Sequence, residues 1–157
     1  MDSPAVPHMP HHVYLVEDHP ALRQIYAEMI DTSDDLRVAG AAASAEAALA
    51  ELLALAVDVA VVDVSLGGAS GSANGIDLVG ELHRLWPALR MLVVSGHDET
   101  LYAERAMRAG ARGYLMKHSA GPNLLPALRR VVGGDVALSD RMRGLLPEEL
   151  LTPLPAL

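Results

Sequence analysis

The chain has no cysteine and no phenylalanine, one tryptophan and four tyrosines. Without cysteine, disulfides and thiolate-held metals are excluded. Without phenylalanine the core must be built from Leu, Val, Ile, Met and Ala, a set suited to helices packed on a parallel sheet. Long hydrophobic runs are also missing: apolar residues make up 51% of the chain, yet no run reaches the length that crosses a bilayer. A soluble protein with no membrane partner is expected. The first residues lack a basic stretch followed by an apolar one, so the expected location is cytoplasmic. Positive charge is scarce, with 12 Lys and Arg against 20 Asp and Glu and a formal net charge of −8. Direct nucleic-acid binding by this chain is therefore disfavoured. A length of 157 residues suits one domain with tails.

What is present is an alternation of strand-like and helix-like segments. Residues 1–12 hold Pro4, Pro7 and Pro10 among small and polar residues and read as a flexible tail. A strand over 13–16 follows, then a helix with Pro20 in its first turn, an apolar face of Leu22, Ile25, Met29 and Ile30, and an end near Asp31. Residues 36–42 read as the second strand. Ser44 caps a second helix with Ala45, Ala48, Leu49, Leu52 and Leu53 on its apolar side. Residues 57–62 form the clearest strand, apolar on both faces apart from Asp58, as a central parallel strand requires. A Gly- and Ser-rich stretch over 65–75 leads to a helix over 76–86, closed by Pro87.

The fourth strand is expected at 91–94, a helix at 99–109 stopped by Gly110, a fifth strand at 112–116, and a last helix carrying Leu124, Leu125, Leu128, Val131 and Val132, in which Pro126 is awkward. The sum is an α/β fold, a doubly wound five-stranded parallel sheet flanked by five helices. The domain is expected over 13–133. Residues 134–157 are expected to be a tail, docking segment or linker remnant without an effector domain, with a short helix over 139–146.

Four strand-like runs end in or beside residues that handle phosphoryl groups: VYLVED with Glu17 and Asp18, VAVVD with Asp63, MLVVS with Ser95, and GYLMK with Lys117. In an open parallel sheet these ends converge at one edge. Clustered carboxylates repel one another, and a hard divalent cation relieves the repulsion. Mg²⁺ fits, because it takes oxygen ligands and is held by one or two carboxylates plus a phosphate. Asp63 could then attack a phosphoryl donor. Lys117 offers an ammonium and Ser95 a hydroxyl to the phosphoryl oxygens. Any one of these residues could be an ordinary polar strand end; five of them in this order argue for a shared site.

These residues carry a family resemblance. The segment 13–133 resembles the receiver domain of two-component response regulators, with its flavodoxin-like fold, and is similar to the receivers of regulators that carry a C-terminal helix-turn-helix. The resemblance implies that Asp63 accepts phosphate from a sensor histidine kinase. It implies that Asp18, Asp63 and the backbone carbonyl of Ser65 bind Mg²⁺, with Glu17 acting through water. Ser95 and Tyr114 would be switch residues that remodel a face made by the fourth helix, the fifth strand and the fifth helix, with homodimerisation on phosphorylation and an output in transcription regulation. No enzyme activity is implied beyond self-phosphorylation and autodephosphorylation.

The chain also departs from the family. The stretch LGGASGSANG at 66–75 is about four residues longer than the usual pattern and has Gly67 where a proline is frequent. It lacks the lysine of a phosphate-binding loop. His118 follows Lys117 where many receivers have a cis-proline. The segment SDRMRGLLPEELLTP at 139–153 is similar to a linker leading into a DNA-binding domain. His8, His11 and His12 read as solvated tail residues, and His19 and His97 as surface loop residues. Two other functions remain open at this point: a phosphorylation-independent interaction module, and an aspartate-nucleophile phosphatase, against which the lack of a second Asp in Asp63-Val64-Ser65 counts.

Overall fold

The computed structural model of the chain describes residues 9–64, 75–96 and 100–157. The readings of residues 1–8 as tail, of 65–74 as an extended loop, of the Ser65 carbonyl as a ligand, and of His8 and His97 lie outside the described residues. A five-stranded, all-parallel sheet has the order β2-β1-β3-β4-β5. Its strands are β1 (His11–Val16), β2 (Leu36–Ala42), β3 (Val59–Asp63), β4 (Arg90–Ser95) and β5 (Gly113–Met116). Between them run α1 (Pro20–Asp31), α2 (Ala45–Leu52), α3 (Gly75–Leu85) and α4 (Thr100–Ala109), and α5 (Ala120–Val132) follows β5.

Alternate residues of the central strands feed two apolar layers, as the two-residue period of a strand dictates. Tyr14 and Val16, Ala60 and Val62, and Met91 and Val93 face one layer with Ala48, Leu82, Ala106 and Met107 of α2, α3 and α4. Val13 and Leu15, Val59 and Val61, and Leu92 and Val94 face the other, with Tyr26 and Ile30 of α1 and Leu124, Leu128 and Val131 of α5. Both faces of the sheet are thus covered, which explains the unbroken apolar runs.

Several sequence expectations need correction. The first strand begins at His11, not Val13: the His11 amide donates to the Asp35 carbonyl (3.0 Å) and the His12 amide to Asp58 Oδ2 (2.8 Å). Both histidines therefore belong to the sheet rather than to a solvated tail. On α1 the inward stripe runs through Leu22, Tyr26 and Ile30 at four-residue spacing, which leaves Ile25 48% exposed. Leu53 lies just beyond the end of α2 and is 78% exposed. Pro126 is accommodated inside α5 on its exposed side, where its missing N–H costs one helix bond.

Residues 134–157, left open between tail, docking segment and linker remnant, pack on the domain, and the short helix expected over 139–146 lies among them. A sixth helix, α6 (Asp140–Leu145), is capped by Ser139, whose hydroxyl accepts from the Met142 amide (3.2 Å). Ahead of it, Ala137 bridges Gly113 in parallel and extends the edge of β5: the Tyr114 amide donates to the Ala137 carbonyl, and the Ala137 amide to the Arg112 carbonyl (both 2.9 Å). Met142 and Leu146 are buried in the layer of α4. The last residues close over the opposite end of the sheet from Asp63. There Arg112 Nη2 donates to the Thr152 carbonyl (2.8 Å), buried Arg90 donates to the carbonyls of Val131 (2.9 Å) and Pro155, and the Leu157 amide donates to the Val132 carbonyl (2.9 Å). Seen from the sequence alone, prolines masked this segment's apolar residues.

Candidate functional site

Strand register places the acidic residues. Val16 of β1 pairs with Val62 of β3, so Glu17 leaves the sheet beside Asp63, the last residue of β3. Here the strand order reverses between β1 and β3, which is where open α/β sheets form a crevice at the carboxyl ends of their strands. Glu17 and Asp63 are almost fully buried and Asp18 is exposed. Each of the three offers an oxygen, and these oxygens lie within 4.8 Å of one another. A hard cation with oxygen ligands fits such a donor set, with water completing the shell on the Asp18 side.

Lys117 reaches this cluster from the end of β5. Its Nζ lies 3.1 Å from Asp63 Oδ2 and 3.7 Å from Glu17 Oε1. Burial alone would pull the Lys117 ammonium down. Its hydrogen bond to Asp63 and the charges of Asp63, Glu17 and Asp18 outweigh that, and its pKa stands above the ordinary lysine value. Burial first, and then the neighbouring Asp63 charge, push the Glu17 carboxyl up to about 7, against the opposing pull of Lys117 and the His19 amide. The cluster is thus a strongly charged, poorly hydrated pocket in which one ammonium serves two carboxylates.

Ser95 ends β4, fully buried and paired with Met116 of β5, at the same edge of the sheet. Tyr114 is buried in the layer of Ala103, Ala106, Met107 and Met142, with its backbone tied to Ala137. His118 is exposed in a short 3-10 turn (Lys117–Ser119), and its peptide bond to Lys117 is trans.

Three further residues support this site: His19, read from the sequence as a surface loop residue, and Arg23 and Gly75, which were not singled out as site residues. His19 caps α1 through Nδ1, and its amide donates to Glu17 Oε1 (3.2 Å). Arg23, one turn along α1, donates from Nη1 to the Glu17 carbonyl (2.9 Å). Gly75, the first residue of α3, presses against the Asp63 backbone: an added Cβ would stand 2.2 Å from the Asp63 carbonyl oxygen. Its amide donates to the Val64 carbonyl (3.1 Å). The sequence signals were the i, i+4 spacing of His19 and Arg23 and a glycine at the head of a helix, both faint without the fold.

Fold and acidic site together define a receiver. The family model described as response regulator receiver domain matches residues 13–129, and the chain belongs to that family. The chain is 33% identical over 138 residues to the DNA-binding transcriptional activator DevR/DosR of Mycobacterium tuberculosis, a match covering 88% of this chain and 62% of the relative. It is 29% identical over 140 residues to the nitrate/nitrite response regulator protein NarL of Escherichia coli K12, again covering 88% and 62%. The chain thus spans about three-fifths of the length of these curated relatives. A crystal structure of a two-component response regulator of the LuxR family from Aurantimonas sp. SI85-9A1 superposes with a TM-score of 0.79 at 28% identity, over 90% of this chain and 98% of the other.

Proposed function

We infer that Asp63 is a phosphoacceptor and that this receiver is a phosphorylation-driven switch fed by a sensor histidine kinase. The observation that carries this reading is the pairing of buried Asp63 with Lys117 at 3.1 Å inside a three-carboxylate cluster. A carboxylate oxygen of Asp63 attacks the phosphorus of a phosphohistidine. The phosphorus–nitrogen bond breaks, its electron pair stays on the imidazole, and an acyl phosphate remains on Asp63. Lys117, already at Oδ2, follows the negative charge onto the phosphoryl oxygens. The Ser95 hydroxyl, at the neighbouring strand end, donates to another.

Asp18 and Asp63 are the residues to hold Mg²⁺ directly, with Glu17 through water and, by family resemblance, the Ser65 carbonyl. When bound, that cation neutralises the carboxylates and the incoming phosphoryl oxygens. Movement at Ser95 and Tyr114 then biases the face made by α4, β5 and α5 between two states. In this chain α4 and the β5 edge also carry residues 137–146, so output through that face, homodimerisation included, involves this segment. The reading sets this receiver in the cytoplasm with a role in transcription regulation, which the name of DevR/DosR, a DNA-binding transcriptional activator, supports. The chain catalyses only its own phosphorylation and dephosphorylation.

The test is intact-mass measurement after incubation with Mg²⁺ and acetyl phosphate or a phosphorylated kinase. Wild type should gain one phosphoryl group and Asp63→Ala none. Equal gain by both proteins, or gain by neither, refutes the reading.

A further inference from the structure

The Tyr26 hydroxyl is buried without a hydrogen-bond partner among the described residues. Buried phenols normally find one, since the lost hydration is otherwise not replaced. Its position gives the omission meaning. Arg23 and Tyr26 stand at i and i+3 on one face of α1, and His19 is the cap just ahead of that helix. His19 and Arg23 already grip Glu17, His19 by its amide at Oε1 and Arg23 by its guanidinium at the backbone carbonyl. Tyr26 is the next residue along the same face. Besides burial, the charges of Glu17, Lys117 and Asp63 act on its hydroxyl, so the phenol lies within the field of the acidic cluster although its ring packs in the α1–α5 layer.

We propose that Tyr26 is a positioning residue for Glu17: its hydroxyl donates to the Glu17 carboxylate when that group turns toward a cation held by Asp18 and Asp63. The assignment rests on the reading of this cluster as a cation and phosphoryl site. It gives Tyr26 a role distinct from filling the core, because a phenyl ring would fill the same space.

The experiment is an Mg²⁺ titration of the full chain with ¹³Cζ-labelled tyrosine, alongside melting curves without metal. Tyr26→Phe should melt at the same temperature as wild type or higher without metal, yet bind Mg²⁺ about fivefold more weakly, the loss expected for one hydrogen bond. The Tyr26 resonance, assigned by its absence in that variant, should shift on Mg²⁺ addition in wild type and stay still in Glu17→Gln. In the Glu17→Gln background, Tyr26→Phe should cost nothing further. Tyr26→Leu, which loses core volume, should melt lower but match Tyr26→Phe in Mg²⁺ affinity. Equal Mg²⁺ affinity of Tyr26→Phe and wild type overturns the assignment, as does an undiminished loss in the Glu17→Gln background or an unmoved Tyr26 resonance on a metal-loaded protein. If wild type binds no Mg²⁺ and gains no phosphoryl mass, the acceptor reading falls and takes this assignment with it. If Asp63 gains its phosphoryl group while Tyr26→Phe binds like wild type, only Tyr26 loses its role.

Discussion

Removing the Lys117 ammonium would leave Glu17 and Asp63 facing each other without the charge that now sits 3.1 Å from one and 3.7 Å from the other. Lys117→Met should therefore lower stability at pH 8 by about 1–3 kcal/mol, less than a fully buried pair would lose, because the lysine side chain is 25% exposed. The same variant should lose most phosphoryl transfer, read as intact mass. Glu17 sets a pH dependence of its own. Its folded pKa of about 7 lies above the ordinary 4.5, so between these values the native state holds more protons than the unfolded chain. Its contribution is complete below about 4.5 and is lost as pH rises through about 7. Metal-free wild type should thus melt progressively lower from pH 5 to pH 8 relative to Glu17→Gln. Parallel melting curves for the two proteins over that range would remove Glu17 as the strained group.

At the scale of elements, the site depends on how α3 meets β3. Gly75→Ala would drive a methyl group into the Asp63 carbonyl, and backbone there cannot yield as a side-chain tip can. We expect a loss of about 2 kcal/mol or more, as for overpacking, with Mg²⁺ binding weakened; unchanged melting and binding would show that the junction is free to move. Much of this architecture was legible beforehand. The second strand matched residue for residue because Ser33, Asp34 and Asp35 mark its start and the helix capped by Ser44 limits its end, and that cap was found because a hydroxyl ahead of an apolar stripe has one main use. Errors came where tertiary partners decide. Nothing local tells that Asp35 and Asp58 extend β1 back to His11, or that α1 turns Tyr26 rather than Ile25 inward. The cluster of Glu17, Asp18, Asp63 and Lys117 was legible because the strands of a parallel sheet end at one edge; the supporting contacts of His19, Arg23 and Gly75 were not, since they run across elements.

For the whole molecule, residues 134–157 matter most, because they join the Tyr114 side of the sheet to its far end. Met142→Ala removes a buried side chain in the α4 layer and should cost about 2–4 kcal/mol. If this segment takes part in the switch, amide exchange over residues 137–151 should rise on phosphorylation of wild type and stay constant in Asp63→Ala. Unchanged exchange in fully phosphorylated protein would confine the response to the site itself. Homodimerisation on phosphorylation should appear as doubled mass in sedimentation; monomers in both states would exclude it. Four strand ends bring Glu17, Asp18, Asp63, Ser95 and Lys117 to one edge, and the proposed function makes one carboxylate among 20 acidic side chains the acceptor. Borohydride reduction of the phosphorylated chain, followed by peptide mass mapping, tests this most directly. The account predicts homoserine in place of Asp63 alone, and reduction at another residue, or at none in protein that carries phosphoryl mass, would contradict it.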